Sequence, residues 1–437
     1  MSETARPQNR LAWLDALRGF AALCVVFDHG STLLLLPARS FLYQWLNLGQ
    51  YGVFVFFLVS GYIVPASLER KGSIRGFWIG RAFRLYPMFL VALVLSLVAY
   101  EAGYGSIANA GKHPLAALLG WLFMLQNLAA GLNVPVVIWT LSYEMVFYLL
   151  LAALFAWGVH RRSGWYATAF AVGAVALGGI IPMSALGHWT NGASSAPLTL
   201  NATVDALVFA GLALSLLSRS SLAKVGTSLA ALVALVLVTF NQSYPYPWSG
   251  CTILALMFTG TLIYRAEQRQ VNRLLTTVLT VGVLAALTFA GTWHGAQKHH
   301  DAHWQLQWAT SVLLAGATFG IGLLVRRWRV PRWCAWLGMI SYSVYLLHPL
   351  IFDAYRDVPA LHRPHTMPDQ VLIFAVILAL VIALSSLTYC FVEKPMQRLG
   401  RRVAARFPYP TQAAPAEAPS RSASSSTVVA GGSGGSP

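Results

Sequence analysis

The sequence is short of charge. Of its 437 residues only 10% are Asp, Glu, Lys or Arg, where soluble domains carry about 25%. Hydrophobic residues make up 57%, and mean hydropathy is +0.60. These values exclude a soluble enzyme on a single anchor and leave a polytopic membrane chain. Cysteine is scarce too. Cys24, Cys251, Cys334 and Cys390 form no CxxC pair, and their spacing suggests neither a zinc site nor a disulfide framework, so no metal is expected. Acidic residues are few, 14 against 30 basic ones, and the formal net charge is +16. No basic domain stands outside the apolar runs to direct that excess toward nucleic acid. The basic residues sit instead in short loops between apolar stretches, the pattern of cytoplasmic loops. No cleavable signal peptide is evident, because the first apolar run outlasts a signal h-region and reads as a retained span. No internal repeat is evident either, which counts against transporter folds built on inverted repeats.

What is present is a series of apolar runs. The fold class expected is all-α: a polytopic transmembrane helix bundle of about 10–12 spans. The first run, residues 11–36, leads outward from a short basic stretch, and residues 52–68 return. Residues 69–84 then hold Arg70, Lys71, Arg75, Arg81 and Arg84, the strongest cytoplasmic signal, before a run at 86–100. Further spans are expected at 138–157, 165–186, 203–218, 225–240, 250–264, 275–293, 305–325, 336–352 and 371–392. Counting every run gives an odd number, whereas basic ends on both sides require an even one. Residues 115–129, short and closed by Gln126 and Asn127, are therefore read as a re-entrant or interfacial segment lining a cavity. Both termini are placed in the cytoplasm of a multi-pass inner (plasma) membrane protein. Residues 1–402 form the membrane domain, and the Ala-, Pro-, Ser- and Gly-rich stretch 403–437 a disordered tail.

Ionisable residues inside spans are costly and mark function. The first run carries Asp15, Arg18, Asp28 and His29. Arg18 and His29 lie eleven residues apart, close to three helical turns, so one helix face holds both, roughly 16 Å apart. By topology His29, Glu144 and His348 fall at a similar depth on three helices. A carboxylate beside an imidazole makes a general-base pair, and Glu144 or Asp28 is the expected partner of His29. Arg81 and Arg84, spaced i, i+3, share a face near the cytoplasm and, with Arg18, form a candidate anion site. Read singly, each has a plainer role: snorkelling for Arg18, a structural hydrogen bond for Glu144, a helix-end cap for His348 with Pro349. Read together, an inner anion site and an outer imidazole suit a long donor with phosphates at one end and a reactive group at the other. Coenzyme A thioesters have that shape.

These residues resemble the acyltransferase-3 family of integral membrane O-acyltransferases. Leu14-Asp15-Ala16-Leu17-Arg18-Gly19 with His29 is similar to its Arg-x10-His pattern. Gly52 to Tyr62, Arg81-Ala82-Phe83-Arg84-Leu85-Tyr86-Pro87, Trp139-Thr140-Leu141-Ser142-Tyr143-Glu144, Ser341 to His348 and Val392-Glu393-Lys394-Pro395 follow in the family's order. The resemblance implies transfer of an acyl group, commonly acetyl, from acetyl-CoA or another acyl-CoA to a hydroxyl of a surface polysaccharide or other glycan. It implies His29 as catalytic histidine, acting as general base or as transient acyl carrier, with Glu144 and Asp28 beside it. Arg18, Arg81 and Arg84 would hold the donor, and His348, Tyr345 and Trp139 the acceptor. Two features depart from the family's pattern: more than its usual ten spans, and no fused soluble domain. The lipid bilayer, the acyl-CoA and the hydroxyl acceptor are the partners expected, with no nucleic acid. A transporter or flippase of a lipid-linked sugar is the alternative; inverted symmetry and broken helices would mark it.

Overall fold

The computed structural model describes residues 12–104, 120–129, 136–182, 184–186, 198–217, 221–241, 246, 248–299, 302–358, 366–406 and 435. Among these every regular element is helical. Nine described helices are long and apolar enough to cross a membrane, or ten if α1 (Ala12–Ser31) and α2 (Leu36–Tyr43) count as one span bent by 117°. Part of the expected first outer loop is thus a helix, begun by Pro37 in its first turn, where a missing N–H costs nothing. After these come α3 (Leu48–Lys71), α4 (Ile74–Glu101), α5 (Trp139–Ala156), α6 (Ser163–Leu177), α7 (Leu198–Leu217), α8 (Ser221–Phe240), α9 (Ser249–Glu267), α10 (Arg273–His299), α11 (Ala302–Val325), α12 (Arg332–Asp357), α13 (Met367–Thr388) and α14 (Lys394–Ala405). Helix α4 starts twelve residues before the run expected at 86 and so carries Arg81 and Arg84 too. Gly72, with φ of 61°, closes α3, and the Ser73 hydroxyl caps α4 by accepting from Gly76 N at 3.1 Å.

Helix α1 packs along both α3 and α12, and α3 packs along α9. At the α1–α12 contact a Cβ on Gly338 would collide with the Asp15 carbonyl, so only glycine lets the two backbones touch. Helix α3 carries Pro65, which has no N–H for the Gly61 carbonyl four residues back. The Thr261 hydroxyl of α9 donates to that carbonyl at 2.8 Å, the kind of repair that lets proline sit within a span. In α9 89% of the apolar window is buried against 28% in α10, so α9 is interior and α10 peripheral. Outward-facing Val98, Leu232, Val281 and Leu372 stay exposed, as a lipid-facing surface requires.

The two ends of the bundle are distinguishable. At one, Glu69 of α3 meets Arg265 of α9 and His160, and Arg326, just past α11, pairs with Glu267 at 2.8 Å. At the other, the start of α11 is tied to the α2–α3 turn: Gln307 donates to the Tyr43 carbonyl and Ser311 to the Asn47 carbonyl. The first carries the basic turns and is the basic end; the second is the far end.

Two irregular pieces touch the interior. Residues 115–119 of the expected re-entrant segment lie outside the described residues. From Gly120 the chain runs past an exposed Leu122 into the interior, is buried from Phe123 to Leu128, breaks at Met124 with φ of 53°, and resumes as a single turn, Gln126–Ala129. Gln126 donates to the Ile138 carbonyl at 3.1 Å, and Asn127 N to the Ser142 hydroxyl at 3.3 Å. Such backbone is tolerated at membrane depth only when protein surrounds it. A π-helical turn, Tyr389–Glu393, joins α13 to α14. Pro395 cannot donate to the Phe391 carbonyl, and the wide turn absorbs that missing bond. Helix α14 runs through the expected tail boundary at 403, and residues 407–434 lie outside the described residues.

Candidate active site

Near the far end lies a cavity of about 310 Å³ lined by His29 and Asp28 of α1, Arg39 and Tyr43 of α2, Tyr345 of α12, Trp139 of α5 and residues of α3, α9 and α11. That size is at the lower edge for a small-molecule site. Behind His29 lies His348, fully buried, with its Nε2 3.0 Å from His29 Nδ1 and its own Nδ1 3.0 Å from the Val344 carbonyl. A carbonyl only accepts, so His348 Nδ1 carries a proton. In a neutral ring Nε2 is then an acceptor, and His29 Nδ1–H donates to it. The chain of two imidazoles leaves the lone pair of His29 on Nε2, on the residue that lines the cavity.

Why His348 stands there follows from its neighbour. Pro349 lies inside α12, which continues to Asp357, so His348 caps no helix end. The proline withholds an N–H from the Tyr345 carbonyl and opens the helix beside Val344.

Asp28 also lines the cavity, but its carboxylate is engaged away from the His29 ring. Tyr43 OH donates to Oδ1 at 3.0 Å, and Arg39 Nη1 lies 3.5 Å from the same oxygen. Arg39 also donates to the Asp28 carbonyl at 3.0 Å and stacks 3.8 Å from the centre of the Tyr43 ring. Asp28 therefore pins α2 to α1 at the cavity's edge.

Deeper toward the basic end, Arg18, Arg81 and Arg84 share a second, small cavity with Ser60, Phe56, Tyr342 and Glu144. Its free volume is about 20 Å³, room for one water. Glu144 accepts from Ser60 at 3.3 Å and from Tyr148, which also receives Arg81 Nη1 at 3.4 Å. Glu393, buried in the π turn and bonded by Ser343, lies within electrostatic reach of Arg84 and Arg18. The site is a cluster of three guanidiniums partly balanced by Glu144 and the buried Glu393.

The sequence-based grouping divides between the two cavities. His29, Asp28, Trp139 and Tyr345 meet at the upper one; Arg18, Arg81 and Arg84 meet at the lower one, as expected. Glu144 does not stand beside His29. It follows Trp139 by five residues, about 7.5 Å of helix, and belongs to the arginine cavity. His348 does not line the cavity but supports His29 from behind. Sequence reasoning left out Phe56, Tyr148, Glu393 and Tyr246. Of these Glu393 had a signal, in Val392-Glu393-Lys394-Pro395. The linings of the two cavities approach each other where the ring of Phe56, under the Arg18 guanidinium at 5.4 Å, lies 6.1 Å from that of Tyr345. Among the described residues no group of three His, Cys, Asp or Glu side chains is placed to hold a metal ion.

A family model described as an acyltransferase domain matches residues 11–390. The chain is 33% identical over 149 residues to the acyltransferase MdmB of Streptomyces mycarofaciens, covering 32% of this chain and 38% of that protein. It is 22% identical over 409 residues to the putative peptidoglycan O-acetyltransferase YrhL of Bacillus subtilis, covering 89% of this chain and 55% of that protein. With the O-acetyltransferase OatA of Staphylococcus aureus it shares 28% identity over 166 residues, covering 35% of this chain and 26% of that protein. The matched part is thus less than two thirds of each relative's length. No solved structure matches the chain. With that family model spanning both cavities and nearly every membrane helix, the chain belongs to the acyltransferase-3 family and is a multi-pass membrane protein.

Proposed function

We propose that the protein is an O-acyltransferase moving an acyl group, acetyl in the simplest case, from cytoplasmic acyl-CoA to a hydroxyl of a surface polysaccharide or other glycan. The observation that carries the reading is the placement of one imidazole lone pair and three guanidiniums in adjoining cavities along one helix. On α1 Arg18 and His29 are separated by eleven residues of unbroken helix, roughly 16 Å. A phosphate-ended donor entering from the basic end, which this reading places in the cytoplasm of a plasma membrane together with both termini, would set its phosphates on Arg18, Arg81 and Arg84. The 20 Å³ void admits no phosphate as it stands, so the arginine side chains swing to take it up. The pantetheine arm then passes Phe56 and Tyr345, and the thioester meets the acceptor beside His29.

His29 Nε2 takes the proton of the acceptor hydroxyl as its oxygen bonds to the thioester carbon. The carbon–sulfur bond breaks, and coenzyme A leaves as the thiol with that proton. His348 and the Val344 carbonyl hold His29 in the tautomer this requires. Asp28 holds α2, and Glu144 tempers the arginine cluster. The name of the Bacillus subtilis relative, a putative peptidoglycan enzyme, supports a glycan acceptor.

The test is mass spectrometry of envelope glycans and glycolipids from cells carrying wild-type protein or His29→Ala at matched membrane levels. Loss of an acyl mass increment in the variant is expected and names both acyl group and acceptor. Equal acylation with the variant overturns the role of His29.

A further inference from the structure

The His29 cavity has a second wall that the reaction above does not use. Tyr246, just before α9, and Trp304 and Trp308 of α11 line it. Tyr246 and Trp304 are half-buried, and each is backed by a buried ring. Trp248 stacks on Tyr246 with centroids 4.9 Å apart and planes 6° from parallel; Trp308 stacks on Trp304 at 5.7 Å. The two front rings meet edge to face at 5.1 Å, and Trp304 Nε1 donates to Tyr246 OH at 2.9 Å. Phe54 of α3 closes on Trp308 from the side at 5.5 Å. The result is a stiff aromatic corner. A membrane-interface belt turns its rings to lipid; these turn into a cavity within the bundle, on the same void as His29.

We propose that this corner is the acceptor subsite and that its occupant is a pyranose sugar. The inference rests on the acyl-transfer reading and adds what holds the acceptor. A pyranose presents one face of C–H groups with partial positive charge, which suits the negative face of an indole or phenol ring. Its edge carries hydroxyls, and the same cavity supplies the planar polar side chains of Asn47, Gln50 and Arg39 to meet them. A long-chain alcohol or a phosphate would use one of these features and leave the other idle. One sugar hydroxyl then points toward His29 while the ring rests on Trp304 and Tyr246.

The experiment uses the full chain in nanodiscs with acetyl-CoA and two acceptor types, a panel of methyl pyranosides and 1,4-butanediol, following release of coenzyme A. The wild type is expected to prefer at least one pyranoside by kcat/KM. In Trp304→Ala the pyranoside-to-butanediol ratio is expected to fall roughly tenfold through the pyranoside KM, the size of one lost aromatic face, with Trp304→Phe in between. The KM for acetyl-CoA reports that each variant is folded. A wild type with no preference for any pyranoside, or a Trp304→Ala that loses both acceptors in proportion, overturns the subsite. No coenzyme A release by the wild type with either acceptor overturns the acyl-transfer reading itself.

Discussion

Replacing His348 with leucine removes the acceptor of the His29 Nδ1–H and fills the space with an apolar side chain. In the wild type that hydrogen bond, 3.0 Å long, fixes the proton on Nδ1 and frees Nε2. Without it, the same tautomer buries an N–H with no partner, at a cost of about 1–3 kcal/mol. The other tautomer turns its N–H into the cavity, where it cannot act as a base, and leaves Nδ1 an unpaired acceptor instead. Either way the imidazolium formed when Nε2 takes the proton carries a buried Nδ1–H with no acceptor, so the barrier rises by about that energy and kcat falls roughly 5- to 150-fold. His348→Gln is the control. Its side-chain oxygen reaches about where Nε2 stood and still accepts, so activity returns to within a few-fold of wild type. The assay is acceptor-dependent release of coenzyme A by protein in nanodiscs, with kcat and the donor KM measured separately. The donor KM is expected to hold, because the arginine cavity is untouched. A leucine variant within twofold of wild type, or a glutamine variant as slow as the leucine one, would refute the two-imidazole argument.

The arginine cavity makes an opposite demand. Arg84→Ala should raise the KM for acyl-CoA roughly 10- to 100-fold through loss of charge-assisted contacts, leaving saturated kcat within a few-fold. Glu144→Gln keeps the acceptor for Tyr148 while removing a charge that repels phosphate, so its donor KM should fall. A large drop in kcat would instead put Glu144 beside His29. For the scaffold, Thr261→Val strips the hydroxyl from the Gly61 carbonyl, a loss of about 0.6–1.7 kcal/mol that lowers the Tm of the solubilised protein. In a Pro65→Ala background, which restores the missing N–H, the same change should cost less; an equal cost in both backgrounds would dismiss the repair.

Much of this was legible in the chain, and the failures have physical causes. Helix α1 carries Arg18 and His29 on one face in a single uninterrupted element, so their separation could be read directly. Arg81 and Arg84 likewise need only helix geometry. Glu144 was misjudged although its span, expected at 138–157, matches α5 to within a residue at each end. A place early in a span does not fix depth finely enough, because the step from Trp139 to Glu144, about 7.5 Å, separates one cavity from the other. Asp28 was linked to His29 by adjacency, but neighbours on a helix point about 100° apart. Its carboxylate found Tyr43 and Arg39, residues on a helix that the loop-like sequence around Pro37 concealed. Pro349 suggested a helix end, which is sound in water and weaker in a bundle, where neighbouring helices and side chains absorb the lost bond. Tyr246 and Trp304 lie 58 positions apart, and no spacing rule joins them.

The contact between Phe56 and Tyr345 has an electrical consequence. On the donor's proposed path it sets two aromatic rings between the two cavities. An ion forced past it would do work against the cell's voltage, about 2.3 kcal/mol per elementary charge for each 100 mV. In the proposed reaction nothing charged makes that passage. The donor's phosphates stay with the guanidiniums on the near side, and a neutral thioester arm goes through. Carbon moves from one side of an energised bilayer toward the other while no current flows, so the voltage that drives other membrane work neither helps nor hinders this step.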